Sequence, residues 1–423
     1  MILSVRVNNF LVYSNDVEFS LKADMRIKKF ACNVFQNHHY RVLKSACIYG
    51  ANNSGKTCLL RAINSIKCVL LGIVAEVTPN LFTDSSSASF GITFLSGERA
   101  FSYDYKFDSG RVNGYKKGFV YECLKELFVD NHGNRSEQEI FIRDVQNGIY
   151  RFRENAELSR LLGVVSNNNI LIYTLNTEKY PIVETYKTIL REFAMKVDMI
   201  DMNNIPLSRT IQVLKNNEKI RDKTVELIKL ADIDIDDYKY LKNIPQKEEK
   251  GAEEETGPRE IAIRATIAWD DVFRLTSVHK GKAVRSLEFD STGTKKIVAI
   301  ASYIIDALTN GRILVIDELD SSLHSKLTRA IVSLFNNDAN TQAQLIFTAH
   351  DVTLLDCKRL FRKDQIWFAA KDRDNEYLYS LADFTSLKDN VRSESDLIEK
   401  YNAGVFGAIP EPDLISVMFS EEP

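Results

Sequence analysis

Gly50-Ala51-Asn52-Asn53-Ser54-Gly55-Lys56-Thr57 fits the pattern G-x-x-x-x-G-K-[ST], and an apolar run from Ser45 to Tyr49 leads into it. The glycines free the backbone to wrap a phosphate with its N–H groups. Lys56 is long enough to reach β- and γ-phosphates, and the Thr57 hydroxyl suits Mg²⁺. Residues from Cys58 to Leu70 then read as a helix, whose positive N-terminal end faces the same anion. A strand before and a helix after is the context this loop requires. The stretch therefore predicts a nucleoside triphosphate held by Gly50, Asn52, Asn53, Ser54, Gly55, Lys56 and Thr57, with Cys58 opening the helix.

A second chemical signal lies far downstream of Gly50, in Ile313-Leu314-Val315-Ile316-Asp317-Glu318. Four apolar residues followed by two carboxylates read as a buried strand with an acidic end. Asp317 is placed to hold Mg²⁺, directly or through water, and Glu318 to polarise the water that attacks the γ-phosphate. Asp290-Ser291-Thr292-Gly293-Thr294 precedes a helical pattern, so Ser291 and Gly293 offer a second phosphate cap. Ser321-Ser322-Leu323-His324 follows the acidic pair at once. Further along, His350 ends the apolar run Gln344 to Thr348.

The rest of the composition limits the alternatives. At 423 residues, with 44% hydrophobic and 27% charged residues, the chain has globular composition and room for two or three domains at roughly 150 residues each. Fifty-five basic against 58 acidic residues give a net charge of −3, so any nucleic-acid contact must come from a local patch. The six cysteines (Cys32, Cys47, Cys58, Cys68, Cys123, Cys357) form no C-x-x-C pair, which argues for reduced thiols and against a zinc site. The most apolar stretches, Cys68 to Ala75 and Ile297 to Leu308, are too short or too polar to span a bilayer, and no leader pattern opens the chain. A cytoplasmic protein without membrane contact is expected.

Along the chain, residues 2 to 7 and Val17 to Leu21 read as strands, and Ser89 to Val129 as an antiparallel meander punctuated by Gly, Asp and Asn. From Glu184 to Leu241 the period is helical, with Ile189, Phe193 and Val197 at four-residue steps. Residues 246–258 carry five Glu against two Lys and no large apolar side chain, the composition of an acidic linker. Ile261 to Trp269 and Phe273 to Val278 read as strands, and the residues after Gly293 as a helix to Leu308. The expected domains are 1–175, bearing the phosphate loop and meander; 176–258, a helical insertion with the acidic linker; and 259–423, bearing the cap, acidic strand end, His350 and tail.

The order phosphate loop, Ser-x-Gly cap, acidic strand end, short turn and strand-end His resembles an ABC-type ATPase head. The opening Val5-Arg6-Val7-Asn8-Asn9-Phe10 and the string from Asp317 to His324 resemble the RecF, SMC and OLD-type branch. The tail, FRKDQIWFAAKDRD followed by LYSLADF and YNAGVFGAIP, is similar to stand-alone ATPases of phage-defence operons such as the AriA subunit of the PARIS system and AbiL-like relatives. The fold implied is α/β: an ABC-type P-loop ATPase head with an antiparallel β meander and an inserted compact helical lobe. A head-to-tail sandwich is also implied, in a dimer or larger ring. Lys56, Thr57, Asp317, Glu318 and His350 of one copy would bind ATP and Mg²⁺, with Glu318, His350 and Lys56 catalytic. Ser291 and Gly293 of the second copy would close over the γ-phosphate, and the Ser321–His324 turn would link the two sites.

His324 stands where many ABC proteins have Asp, and the Ser-Thr-Gly-Thr cap argues against a transporter subunit. The glutamine of the lobe-connecting loop has no clear counterpart: Gln36 precedes the phosphate loop, which leaves the neighbourhood of Asn80. Asp372-Arg373-Asp374 matches the D-x-D of a Toprim metal site, but the stretch that follows His350 is too short for that fold, and a hairpin turn fits better. His38-His39, Lys116-Lys117 and Lys295-Lys296 read as solvated surface. The helical tract lacks sustained heptads, which excludes a long coiled coil. The resemblance implies an ATP-switched scaffold in a two-gene defence system, holding a separate Toprim-type nuclease effector and answering a phage trigger protein. The alternative is a RecF-like DNA-repair ATPase that clamps DNA on binding ATP.

Overall fold

The computed structural model describes residues 1–37, 39–74, 77–110, 117–129, 134–153, 155–231, 235–241, 273–371, 376–384 and 396–408. Its centre is a parallel sheet made from short apolar runs. Strand β5 (Ser45–Tyr49) lies between β16 (Gln344–Thr348) and β17 (Ile366–Lys371); β15 (Ile313–Asp317) pairs with β16, and β11 (Val197–Asp201) with β15. These five run parallel, and β18 (Glu376–Ser380) closes one edge antiparallel to β17. Every residue of β5 and β16 is buried, which explains why both sequences read as continuous apolar runs rather than alternating ones.

Two layers do the burying. On one face Ala46, Ile48, Val315 and Ile346 meet Leu59, Ile63 and Ile66 of the helix Lys56–Leu70. On the other, Cys47, Leu314 and Phe347 meet Ile300 and Ile304 of the helix Thr292–Asn310 and Ile331 and Phe335 of the helix Ser325–Phe335. The helix Thr292–Asn310 ends at Gly311, where φ of +66° suits a residue without Cβ.

Across the first helix packs a seven-stranded antiparallel sheet, built from β1 (Ile2–Asn8), β2 (Val17–Ser20), β6 (Ser87–Ser96), β7 (Arg99–Asp108), β8 (Gly118–Val129), β9 (Arg135–Asp144) and β10 (Ile149–Phe152). A hairpin of β3 (Val34–Gln36) and β4 (Arg41–Leu43) stands beside it. The meander expected over Ser89 to Val129 is thus the middle of a larger sheet. The result is an α/β fold in which a helix-flanked parallel sheet carries a larger antiparallel sheet across its first helix.

The helical tract differs from its sequence reading. The helix Pro181–Met195 stops before Val197, and Val197–Asp201 becomes β11, paired in register with Ile313–Asp317. Sheet pairing there supplies the backbone partners that a continuing helix would have provided. The helix itself belongs to the core: Phe193 stacks on Phe94 with ring centroids 4.0 Å apart. What protrudes is a smaller lobe, the helices Ser208–Asn216 and Glu218–Ala231 against Thr292–Asn310, joined by a sheet of β12 (Asp237–Tyr240), β13 (Leu275–His279) and β14 (Lys282–Arg285). The acidic tract 246–258 and the strand expected over Ile261 to Trp269 lie outside the described residues. Among the described residues no helix is long and apolar enough to cross a membrane.

Candidate functional site

Parallel strands deliver their carboxyl ends to one edge of a sheet, where α/β folds place ligands. Here β5 ends at the glycine loop, β15 at Asp317, β16 at Thr348, and β11 just before Asn203. The loop is held tightly from behind. A Cβ at Gly50 would lie 2.2 Å from the Ala369 carbonyl oxygen, and one at Gly55 (φ +102°) 2.9 Å from the Tyr13 hydroxyl. Tyr13 Oη donates to the Gly55 carbonyl at 2.9 Å. Asn53 takes a left-handed φ of +63°, completing the curl.

Lys56 folds into this curl, its Nζ donating to the Gly50 and Ala51 carbonyls at 2.7 and 2.9 Å. Burial lowers the pKa of its ammonium, while Asp317, Glu318 and Asp320 act in the opposite sense. Ser54 Oγ is buried in the same loop and has no hydrogen-bond partner. A hydroxyl stranded beside a buried cation fits an anionic ligand rather than a closed core.

Across the edge, Asp317 accepts from Thr57 Oγ1 at 2.8 Å and from Thr348 Oγ1 at 2.6 Å. Thr348 Oγ1 in turn accepts from the Glu318 backbone N–H at 2.8 Å. Glu318 has φ of +54°, so the chain turns sharply as it leaves the sheet and lifts the carboxylate into the open. His350 Nε2 stands 4.0 Å from Glu318 Oε1. Its backbone N–H and that of Asp351 both donate to Asp320 Oδ2, which fixes the strand-end turn. The hydroxyl of Thr57 and the carboxylate of Asp317 form a hard oxygen pair of the kind that holds Mg²⁺ together with phosphate oxygens.

The serine cap lies beside the Ser321–Ser322 turn. Ser291 Oγ accepts from the Thr294 N–H at 3.1 Å, and a Cβ on Gly293 would sit 3.3 Å from the Ser322 carbonyl oxygen. Lys296 is half-buried, and its Nζ lies 3.1 Å from Ser322 Oγ and 3.2 Å from Ser321 Oγ. His324 caps the helix Ser325–Phe335, Nδ1 accepting from the Lys326 N–H at 3.1 Å, which accounts for an imidazole at this position.

The edge therefore gathers Lys56, Thr57, Asp317, Glu318 and His350, residues drawn from opposite ends of the sequence. It also brings in three that the sequence does not mark: Thr348, Asp320 and Asn203. Asn203 Nδ2 donates to Glu318 Oε2 at 2.9 Å, at the turn that enters the lobe. Asn80 is elsewhere, buried and donating to the Val12 carbonyl at 3.0 Å. Gln36 accepts from Arg41 on the β3–β4 hairpin, and His39 is exposed. Asp372 and Asp374, with His38 and Lys116, lie outside the described residues.

No curated protein matches the chain. Among solved structures, it is similar to an SMC head domain from Thermotoga maritima, with 11% identity over 90% of this chain and 98% of that one and a TM-score of 0.41. It is also similar to an Smc head bound to the C-terminal winged-helix domain of ScpA, at 13% identity over 90% and 97%, TM-score 0.42. A third is an Smc head with an extended coiled coil bound to the C-terminal domain of ScpA from Pyrococcus furiosus, at 14% identity over 95% and 99%, TM-score 0.39. A family model described as "AAA domain, putative AbiEii toxin, Type IV TA system" matches residues 45–356. That span opens on the first residue of β5 and passes His350, so it contains the whole sheet edge described above, and the chain belongs to this family of AAA-domain ATPases.

Proposed function

We propose that the chain binds ATP with Mg²⁺ and hydrolyses it slowly as a regulatory switch, two copies closing head to tail over each nucleotide. The observation that carries this reading is the bridge Thr57–Asp317–Thr348, with Glu318 raised beside it on a left-handed turn. The loop N–H groups and Lys56 would cradle the phosphates, exchanging the Gly50 and Ala51 carbonyls for phosphate oxygens. Mg²⁺, held by Thr57 and Asp317, would neutralise charge on the β- and γ-phosphates. Glu318, oriented by Asn203, would take the proton of the attacking water, and His350 would face the γ-phosphate. Ser291 and Gly293 of the second copy would complete the site.

In the cell, this switch would serve an anti-phage complex in the cytoplasm: the ATPase holds a separate Toprim-type nuclease, and a phage trigger protein changes the assembly and frees it. The family description, with its toxin–antitoxin association, and the tail sequence support this reading. Co-expression with the neighbouring gene and a pull-down tests it, alongside phage plating. Joint recovery of the two proteins, with protection lost in Lys56→Ala, is expected. Recovery of the ATPase by itself with protection intact refutes the defence role. An ATP-dependent, salt-sensitive DNA mobility shift would replace it with a DNA-clamping one.

A further inference from the structure

Asp290, the residue before the capping serine, is a buried carboxylate that the hydrolytic edge does not use. Its side chain is fully shielded from solvent. A charge in such a place persists only when its lone pairs are filled. Three donors fill them: Ser277 Oγ at 2.7 Å and His279 Nε2 at 3.1 Å on Oδ1, and Ser286 Oγ on Oδ2. Ser286 is reached in turn by the Tyr238 hydroxyl at 2.6 Å. The His279 ring also lies against Phe289, centroids 4.9 Å apart.

The donors come from a particular place. Tyr238 is on β12, Ser277 and His279 are on β13, and Ser286 opens the turn after β14. The small sheet of the lobe is thus fastened, through one carboxylate, to the residue next to Ser291. Its apolar side is fastened as well: Tyr238 and Leu275 pack with Ile211 and Ile228 of the lobe helices and with Val298 and Ala301 of the capped helix. The sheet is thus joined to the capped helix on both a polar and an apolar side.

We propose that Asp290, gripped by Ser277, Ser286 and His279, is a positioning residue that lets the small sheet of one copy set whether the ATP site of the other can close. This rests on the head-to-tail reading above. Neither Asp290 nor His279 touches nucleotide in it; both act through Ser291, so their loss shows in trans and not at the chain's own phosphate loop.

Mixing of variants makes that distinction measurable. Lys56→Ala removes the phosphate loop of a copy and leaves its cap; Asp290→Asn, His279→Gln and the control Ser291→Ala disturb the cap and leave the loop. Each variant, tested singly as full-length protein, is expected to lose ATPase turnover, Asp290→Asn by about ten- to a hundredfold through misplacement of the serine. Nucleotide binding by Asp290→Asn should stay at the wild-type level. In an equal mixture with Lys56→Ala, mixed dimers regain one intact site, restoring about a quarter of wild-type turnover by random pairing.

Restoration by both Ser291→Ala and Asp290→Asn supports the proposal. Restoration by Ser291→Ala but not by Asp290→Asn or His279→Gln overturns it while leaving the sandwich intact. Failure of the Ser291→Ala control removes the sandwich itself, and the proposal with it. Wild-type turnover in singly tested Asp290→Asn also overturns it. Should Asp290→Asn fail to fold, His279→Gln carries the same mixing test.

Discussion

One amide touches two pieces of machinery: Asn203 Nδ2 donates to Glu318 Oε2 at 2.9 Å, and its Oδ1 faces Lys296 Nζ at 3.4 Å. Lys296 lies on the capped helix, one turn beyond Ser291, and also reaches the Ser321–Ser322 turn. Asn203 therefore stands between the carboxylate that would activate water and the helix that would face a second copy. Replacing it with Ala should reduce kcat roughly tenfold and leave nucleotide affinity unchanged, because it orients Glu318 and touches no phosphate. Asn203→Asp, which sets a second carboxylate against Glu318, should be worse than Asn203→Ala. A steady-state comparison of kcat and KM decides, and a change confined to KM refutes the assignment.

Glu318→Gln keeps the volume and removes the base. Nucleotide binding should persist while phosphate release slows by about two to four orders of magnitude. Fluorescent-nucleotide titration and single-turnover assays separate the two, and a parallel loss of both would mean that Glu318 serves binding instead.

Lys56 gives a pH signature. Burial holds its pKa below the ordinary 10.5, and a bound triphosphate would raise it. The bound state then holds the proton more firmly, so on the alkaline side ATP binding takes up protons. Affinity should fall as pH rises through the lowered pKa, earlier than for an exposed lysine. Calorimetry in two buffers of different ionisation heat reads this uptake. Lys56→Arg, whose guanidinium stays charged, should bind without it. Lys56→Ala should bind weakly at every pH.

Far from the loop, Glu122 and Arg143 form an ion pair whose side chains are both essentially sealed from solvent. Tyr103 Oη and the Leu171 N–H also donate to Glu122, and Arg143 reaches the Ser166 and Asn169 carbonyls, so the pair ties the large sheet to the segment after it. Glu122→Gln leaves a buried guanidinium without its counter-charge and should cost about 3–5 kcal/mol, whereas the double change Glu122→Met with Arg143→Met should recover most of that. Urea midpoints measure both, and equal losses in the single and double variants would show that the pair has no special electrostatic weight.

The parts of the fold legible in the sequence are the local ones. The β5–loop–helix unit runs without a break from Ser45 to Leu70, and each of its parts has its own signature: an apolar run, two glycines with a lysine, then helical spacing. Strands β15 and β16 are equally plain because both their faces are covered. Strand β11 is not, since the contact that makes Val197–Asp201 a strand is with the distant Ile313–Asp317, while its neighbours upstream are helical. Asn203 is hidden for the same reason. Strand β9 begins with exposed Arg135, Ser136 and Glu137, which carry no apolar alternation to read. The Asp290 grip consists of residues from separate positions whose pattern exists only once β12, β13 and β14 are paired.

The placement of β5 also has a consequence for synthesis. Both its neighbours, β16 and β17, lie near the far end of the chain and leave the ribosome long after it. Until then β5 has neither neighbour, and Thr348, which Asp317 joins to Thr57, has not been made. Pairing so distant in sequence is slow to form and comes late in translation. On the reading proposed above, a chain terminated before β16 would lack Thr348 and both neighbours of β5, and so would hold the glycine loop too loosely to grip a triphosphate.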